Sequence, residues 1–210
     1  MINIYRPSKR LYSMAVEIRG DIGSNDVSTS QEFMKAASGV IHLRGEGNTI
    51  KIGRPVCAGS IYCTLHDGGS ITIGDNLHFH NLAIHALSRL GIIVIGENCA
   101  FNGNAAITVH EPSRLIIGNN ALFAGGCNLN TSDVHKIYNV DTGERINPPK
   151  DIVLGDRVWV GGDTSILKGA KIGSDSVVGT RSVVTSEFSS NSLIAGVPAK
   201  LIRSGIRWEP

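Results

Sequence analysis

The sequence predicts an all-β fold, a parallel β-helix with triangular coils, and two observations carry that prediction. The first is a repeated pattern: an aliphatic residue, glycine, two loosely chosen residues and a small or aliphatic one. It occurs as Ile73-Gly74-Asp75-Asn76-Leu77, Ile95-Gly96-Glu97-Asn98-Cys99, Ile117-Gly118-Asn119-Asn120-Ala121, Leu154-Gly155-Asp156-Arg157-Val158 and Ile172-Gly173-Ser174-Asp175-Ser176. The second is spacing, because the first residues of these copies lie 22, 22, 37 and 18 positions apart. A period near 18 built from units of six fits a coil with three flat faces. One aliphatic side chain per unit points inward, a small residue fills the corner, and glycine is expected to supply the backbone freedom of the turn.

Taken in chain order, residues 1–40 lack the repeat and are expected to form a cap over the first coil, since a bare solenoid end exposes core and strand edge. Within them Thr29-Ser30-Gln31-Glu32 reads as a capping box before Phe33-Met34-Lys35-Ala36-Ala37, with Gly39 as the stop. Residues 41–205 form the β-helix domain, from short β-type runs such as Ile71-Thr72-Ile73 and Ile92-Ile93-Val94-Ile95, each closed by glycine and a polar turn. About eight coils stacked roughly 4.8 Å apart make a prism on the order of 40 Å tall. The 22-residue intervals add four residues per coil at one corner. The 37-residue interval adds fifteen more, a loop insertion at about 130–149 containing Thr131-Ser132-Asp133-Val134-His135. An antiparallel sandwich would need hairpin turns of the Asn-Gly kind, and Asn102-Gly103 is the single such pair.

Composition narrows the function. Lys and Arg number 20 against 18 Asp and Glu, a formal net charge of +2 spread along the chain. That gives neither a nucleic-acid footprint nor a polybasic membrane anchor. Arg6, Lys9 and Arg10 precede an apolar stretch broken by Glu17 and Arg19, so neither a signal core nor a membrane span is expected and the location reads as cytoplasmic. Cys57, Cys63, Cys99 and Cys127 lack zinc-type spacing and are expected to be buried free thiols.

The most specific residues are Ile152-Val153-Leu154-Gly155-Asp156-Arg157-Val158-Trp159-Val160-Gly161, the run Ile172 to Thr185, and Ala195-Gly196-Val197-Pro198-Ala199-Lys200-Leu201-Ile202-Arg203. Over residues 50–205 the chain resembles the hexapeptide-repeat acyltransferases, with a left-handed parallel β-helix. It resembles galactoside acetyltransferases and, in the loop Thr131 to Tyr138 with Thr142 to Asn147, the O-acetyltransferases of capsular polysaccharides, including those acting on polysialic acid. The resemblance implies acetyl-CoA as donor with no metal, a glycan acceptor, and a homotrimer with sites between subunits.

By the same resemblance His135 is the general base and Trp159 lines the acyl-CoA site. Histidine suits the first role because an ordinary imidazole, with a pKa of about 6.5, can accept a hydroxyl proton near neutral pH. Either Asp133 or a backbone carbonyl is expected to hold the other ring nitrogen, or Asp133 is simply a turn residue. Trp159 is alternatively a corner aromatic shielding the prism. Gly162 and Thr180 match main-chain contacts to the pantetheine arm. Thr185, Lys200 and Arg203 match the nucleotide end, Lys168 is a further candidate there or a solvated lysine, and Ser186 departs from the Lys of several relatives. Tyr138 and Arg145 are candidate acceptor contacts, with Arg145 alternatively bracing the loop through Asp141 or Glu144.

Two rival functions are open at this level. A γ-class carbonic anhydrase-like zinc enzyme draws on His42, His80 and His85, and a non-catalytic hexapeptide scaffold needs only the repeat.

Overall fold

The computed structural model describes residues 15–210. The expected basic start at Arg6, Lys9 and Arg10, and the first part of the cap, lie outside the described residues. The described chain is a parallel β-solenoid. One face is an eight-stranded sheet containing Thr49–Ile52, Ser70–Ile73, Ile92–Ile95, Arg114–Ile117 and Ile152–Leu154. We call it face 3. Faces 1 and 2 belong to the second, thirteen-stranded sheet. Leu122–Phe123, Trp159–Val160 and Val177–Val178 lie on face 1, and Cys127–Asn130, Ser165–Leu167 and Val183–Val184 on face 2. In earlier coils Leu77–Ala86 and Ala100–Val109 run across both faces, with a register shift between Phe79 and Asn81 marking the corner.

Inward residues stack in register from coil to coil, which is why the aliphatic position repeats. Ile71, Ile93, Leu115 and Ile152 form one buried column, and Ile73, Ile95, Ile117 and Leu154 another. Phe101 and Phe123 stack on face 1 with centroids 4.7 Å apart. Such columns are dry and close-packed, so each rung supports its neighbours.

The turn works differently from the sequence reading. The glycine of each repeat is not the residue with positive φ; that conformation falls two residues later, at Asn76, Asn98, Asn120, Arg157 and Asp175. Glycine is required for space instead. A Cβ on Gly96 would stand 2.7 Å from the carbonyl carbon of Gly118, and one on Gly118 2.6 Å from that of Gly155. The stacked turns touch backbone to backbone.

The cap is also corrected. Val16–Arg19 pairs in parallel with Ser38–Arg44, and Asp26–Thr29 with Thr49–Ile52, so coil strands begin well before residue 40. The expected short helix is present at Gln31–Ala36, but its N-cap is Ser30, whose Oγ accepts from Phe33 N at 3.0 Å. Thr29 ends a strand, so no capping box forms, and the helix stops at Ala37, two residues before Gly39. Helical periodicity was too short to fix which hydroxyl would cap.

The four extra residues of the 22-residue coils gather at one corner, between faces 2 and 3, at 87–91 and 110–113. The large insertion leaves from that same corner, after Cys127–Asn130 and before Ile152–Leu154. Of the four cysteines, Cys63, Cys99 and Cys127 are buried as expected, whereas Cys57 is exposed because it points outward from face 1.

Candidate active site

The insertion is a small β-hairpin carried on a braced stem. Ile137 and Ile146, and Asn139 and Glu144, pair across it through Ile146 N to Ile137 O and Asn139 N to Glu144 O, each 2.9 Å, with Gly143 at φ +67° in the turn. His135 stands at its entry, exposed. Its amide donates to the carbonyl of Asp133 at 2.7 Å across Val134, whose φ is +66°. This is a γ-turn of the rare, strained hand, and a β-branched residue is the least suited to it. Strain of this kind persists only where surrounding contacts impose it, and such positions cluster at functional sites.

The imposing contact is Asn147, a buried side chain that the sequence reading left without a role. Its Oδ1 accepts from Ile137 N at 2.7 Å, and its Nδ2 donates to the His135 carbonyl at 2.8 Å and to Asp133 Oδ2 at 3.0 Å. One amide therefore fixes the backbone on both sides of His135.

Arg145 is a brace and not a free cation. Its Nη1 and Nη2 donate to Glu111 Oε2 and Oε1 at 2.6 and 2.7 Å, a bidentate pair to the corner of the preceding coil. Asp141 and Glu144, the expected local partners, are not used. Arg145, helped by the Ser132 hydroxyl at 2.6 Å, pulls the Glu111 carboxyl down to about 2. Lys168 is likewise engaged: its Nζ meets Asp133 Oδ2 at 2.5 Å with its side chain 19% exposed. Asp133, spent on Lys168 and Asn147, is not bonded to the His135 imidazole. Tyr138 remains exposed on the hairpin, in bridge pairing with Arg145.

Trp159 lies elsewhere. It points outward from face 1, 40% exposed, between Leu122 and Val177 of the adjacent rungs. Trp208 packs on it with centroids 5.9 Å apart, and is itself held by Nε1 donating to Arg157 O at 2.7 Å and by the Arg157 guanidinium 5.3 Å over its ring. Trp208 follows the last strand and belongs to no periodic pattern in the sequence.

The other predicted donor residues divide. Gly162 and Thr180 meet at the corner between faces 1 and 2, where a Cβ on Gly162 would lie 3.7 Å from Thr180 Oγ1 and 3.2 Å from Gly125 O. Lys200 continues that line, because it pairs with Ala195, and a Cβ on Gly179, next to Thr180, would lie 2.9 Å from the Ala195 Cβ. Arg203 is exposed on the same terminal strand. Thr185 is instead at the far edge of face 2, following Val183–Val184. One chain thus places His135 at the corner between faces 2 and 3, away from the strip of Gly162, Thr180 and Lys200.

Along the corner between faces 1 and 2, toward the N-terminal coils, runs a groove of about 540 Å³ lined by Tyr62, Asn81, Asn104 and Asn128 among others. Ser60 Oγ donates to Asn81 Oδ1 at 2.5 Å, and Asn81 Nδ2 to Asn104 Oδ1 at 2.9 Å, a polar ladder beside an aromatic edge. The groove reaches Gly126, whose missing Cβ would meet Asp163, the residue after Gly162. Cys127 points inward and donates to carbonyls of Ala124 and Gly161, and burial pushes its thiol up, so it is no nucleophile.

The rival zinc set is not assembled. Tyr62 stands between His42 and His85, with centroids 5.5 and 5.4 Å away, and no group of three metal-binding side chains occurs among the described residues. No helix among them is long and apolar enough to cross a membrane.

Residues 151–186 match the family model of the bacterial transferase hexapeptide, six repeats. A polysialic acid O-acetyltransferase of Escherichia coli O1:K1 is 38% identical over 80 residues, which is 38% of this chain and 26% of that protein. A putative lipopolysaccharide biosynthesis O-acetyl transferase, WbbJ, of Escherichia coli K12 is 40% identical over 72 residues, 34% of this chain and 37% of that one. The matched segments thus span about a quarter to a third of these relatives. Among solved structures, the polySia-specific acetyltransferase NeuO superposes with a TM-score of 0.67 at 26% identity, covering 93% of this chain and 88% of that one. The polysialic acid O-acetyltransferase OatWY gives 0.62 at 26% identity, over 93% and 90%.

Proposed function

We propose that this chain, a hexapeptide-repeat β-solenoid, is an acetyl-CoA-dependent O-acetyltransferase acting on a hydroxyl of a sugar in a surface polysaccharide, sialic-acid polymers being the first candidates. The observation that carries the reading is the likeness, over 93% of the chain, to a polySia-specific acetyltransferase and to a polysialic acid O-acetyltransferase. In the proposed reaction the His135 imidazole takes the acceptor hydroxyl proton as the oxygen attacks the thioester carbonyl. A backbone N–H at the open corner near Gly161 and Gly162 supports the developing oxyanion. The intermediate collapses with cleavage of the carbon–sulfur bond, and the proton on His135 passes to the departing sulfur. No covalent enzyme intermediate is needed.

Gly162 and Thr180 leave an unobstructed strip for the pantetheine arm, and Lys200 and Arg203 offer cations to the nucleotide phosphates. The Asn81 and Asn104 ladder with Tyr62 supports a glycan beside that strip, a role that Arg145, bound to Glu111, does not fill. Because His135 and the strip occupy different corners of one chain, the proposal includes a homotrimer in which one subunit's loop meets its neighbour's strip. The exposed Val134, Ile137, Val140 and Ile146 of the loop support such a contact. A cytoplasmic location, where acetyl-CoA is available, belongs to the same proposal.

The test is acetyl transfer from acetyl-CoA to a panel of sialic-acid, hexose and amino-sugar polymers, with size measurement by light scattering. His135→Ala should abolish transfer while the trimer persists. Full activity in that variant would overturn the mechanism, and an active monomer the shared site.

A further inference from the structure

On face 1, away from the loop, His78 and His80 point outward from one strand with the fully buried Phe79 between them. Their Nε2 atoms stand 3.3 Å apart and their ring centroids 5.3 Å. That separation is at the long end of hydrogen-bonding reach, since N–H donors usually sit about 2.7–3.2 Å from the acceptor. It equals the bite of two nitrogens on a tetrahedral zinc ion, since bonds of about 2.0–2.1 Å at the tetrahedral angle hold the nitrogens about 3.3–3.4 Å apart.

The surroundings favour a ligand. The strand is paired in parallel on both sides, with Pro55–His66 and with Ala100–Val109, so the two imidazoles are carried on a fixed backbone and little order has to be created on binding. Ala100 lies beside His78 in register on the following strand, and His80 backs onto Gly59, where a Cβ would stand 2.0 Å from the His80 carbonyl oxygen. Small residues therefore flank the pair. Cys57 is exposed beside His78 on the preceding strand, a further soft side chain at strand spacing. Only His80 is shared with the set that the zinc-enzyme alternative needed, because His42 and His85 lie on face 2 around Tyr62.

We infer that His78 and His80 form a surface chelate for a borderline divalent transition metal, zinc first, with both Nε2 atoms as ligands and water completing the coordination. Imidazole nitrogen suits zinc, copper and nickel over magnesium or calcium. The inference is independent of the acetyltransferase reading.

Zinc chloride titrated into the full-length protein and followed by calorimetry tests it. One site per chain is expected, weakened roughly a hundredfold in either His78→Gln or His80→Gln, because the second ligand then no longer binds intramolecularly. Long-range nitrogen-15 spectra, which report each imidazole separately, should show the His78 and His80 Nε2 resonances moving together as zinc is added. Undiminished binding in the double variant, or shifts confined to other histidines, would overturn the assignment. Both side chains are on the surface, and circular dichroism is the check that each variant keeps the solenoid.

Discussion

Asn147→Ala is the substitution that most directly probes how the loop holds His135. It removes four side-chain hydrogen bonds: three of 2.7 to 3.0 Å, two to neutral backbone groups, Ile137 N–H and the His135 carbonyl, and one to the Asp133 carboxylate, and a fourth, long and weak at 3.4 Å, from Arg145 Nε. Neutral bonds contribute about 1 kcal/mol each and the charged one about 2 kcal/mol, so about 4 kcal/mol is an upper figure. Water reaches an opened surface loop and recovers anything up to about half of that, leaving roughly 2–4 kcal/mol. At 1.4 kcal/mol per factor of ten, local opening rises roughly 30- to 700-fold. The assay is native-state hydrogen exchange of the Ile137 amide, read beside the amides of Ile152–Leu154 as an internal standard. Loss of Ile137 protection by that factor, with the core strand unchanged, is the expected result. In turnover, kcat should fall while the KM for acetyl-CoA holds, because Gly162 and Thr180 lie at a different corner. Ile137 exchange within about twofold of wild type would refute the reasoning. Asn147→Asp sharpens the test, since it sets a second carboxylate where an N–H now faces Asp133 at 3.0 Å.

Three further outcomes follow from the same structure. Glu111, held down to about 2 by Arg145, is a depressed acid, so its contribution to loop order is complete above its ordinary value near 4.5 and is lost as pH falls toward 2; Glu111→Gln should remove that acid transition from the exchange profile. Gly118→Ala puts a Cβ 2.6 Å from backbone in the next coil, where nothing can yield, and chemical denaturation should show a loss of about 3 kcal/mol or more, against about 1 kcal/mol for Gly143→Ala in open space at φ +67°. Trp208→Ala strips the partner from Trp159, and tryptophan emission should shift to the red while proteolysis after Arg203 accelerates roughly tenfold, with thermal unfolding of the solenoid little changed.

Much of the fold was legible because a solenoid repeats its physics. Ile73, Ile95, Ile117 and Leu154 occupy one column, and a side chain that meets the same neighbours in each coil obeys the same constraint in each copy. The insertion was legible as an interruption of that rule. Less visible was anything set by contacts between coils. Which residue of Ile-Gly-Asp-Asn takes positive φ, and why the glycine is there, depends on how closely successive turns stack. The helix cap passed from Thr29 to Ser30 because Thr29 was claimed by a strand ladder. Arg145 and Lys168 looked available for ligands in sequence, and Asp133 for the His135 ring, yet Glu111, 34 residues before Arg145, and Lys168, 35 after Asp133, already satisfy them.

By itself the sequence determined a β-solenoid of triangular coils, the interval that carries the extra residues, and His135 within them, because period and interruption are local properties of the chain. Tertiary structure decided the rest: that Asn147 holds His135 in a strained turn, that Arg145 braces and Trp208 covers, and that His78 and His80 face each other. Those are meetings of groups whose partners, near or far in the chain, follow no repeat, and only the stacking and bending of the coils brings them within bonding distance.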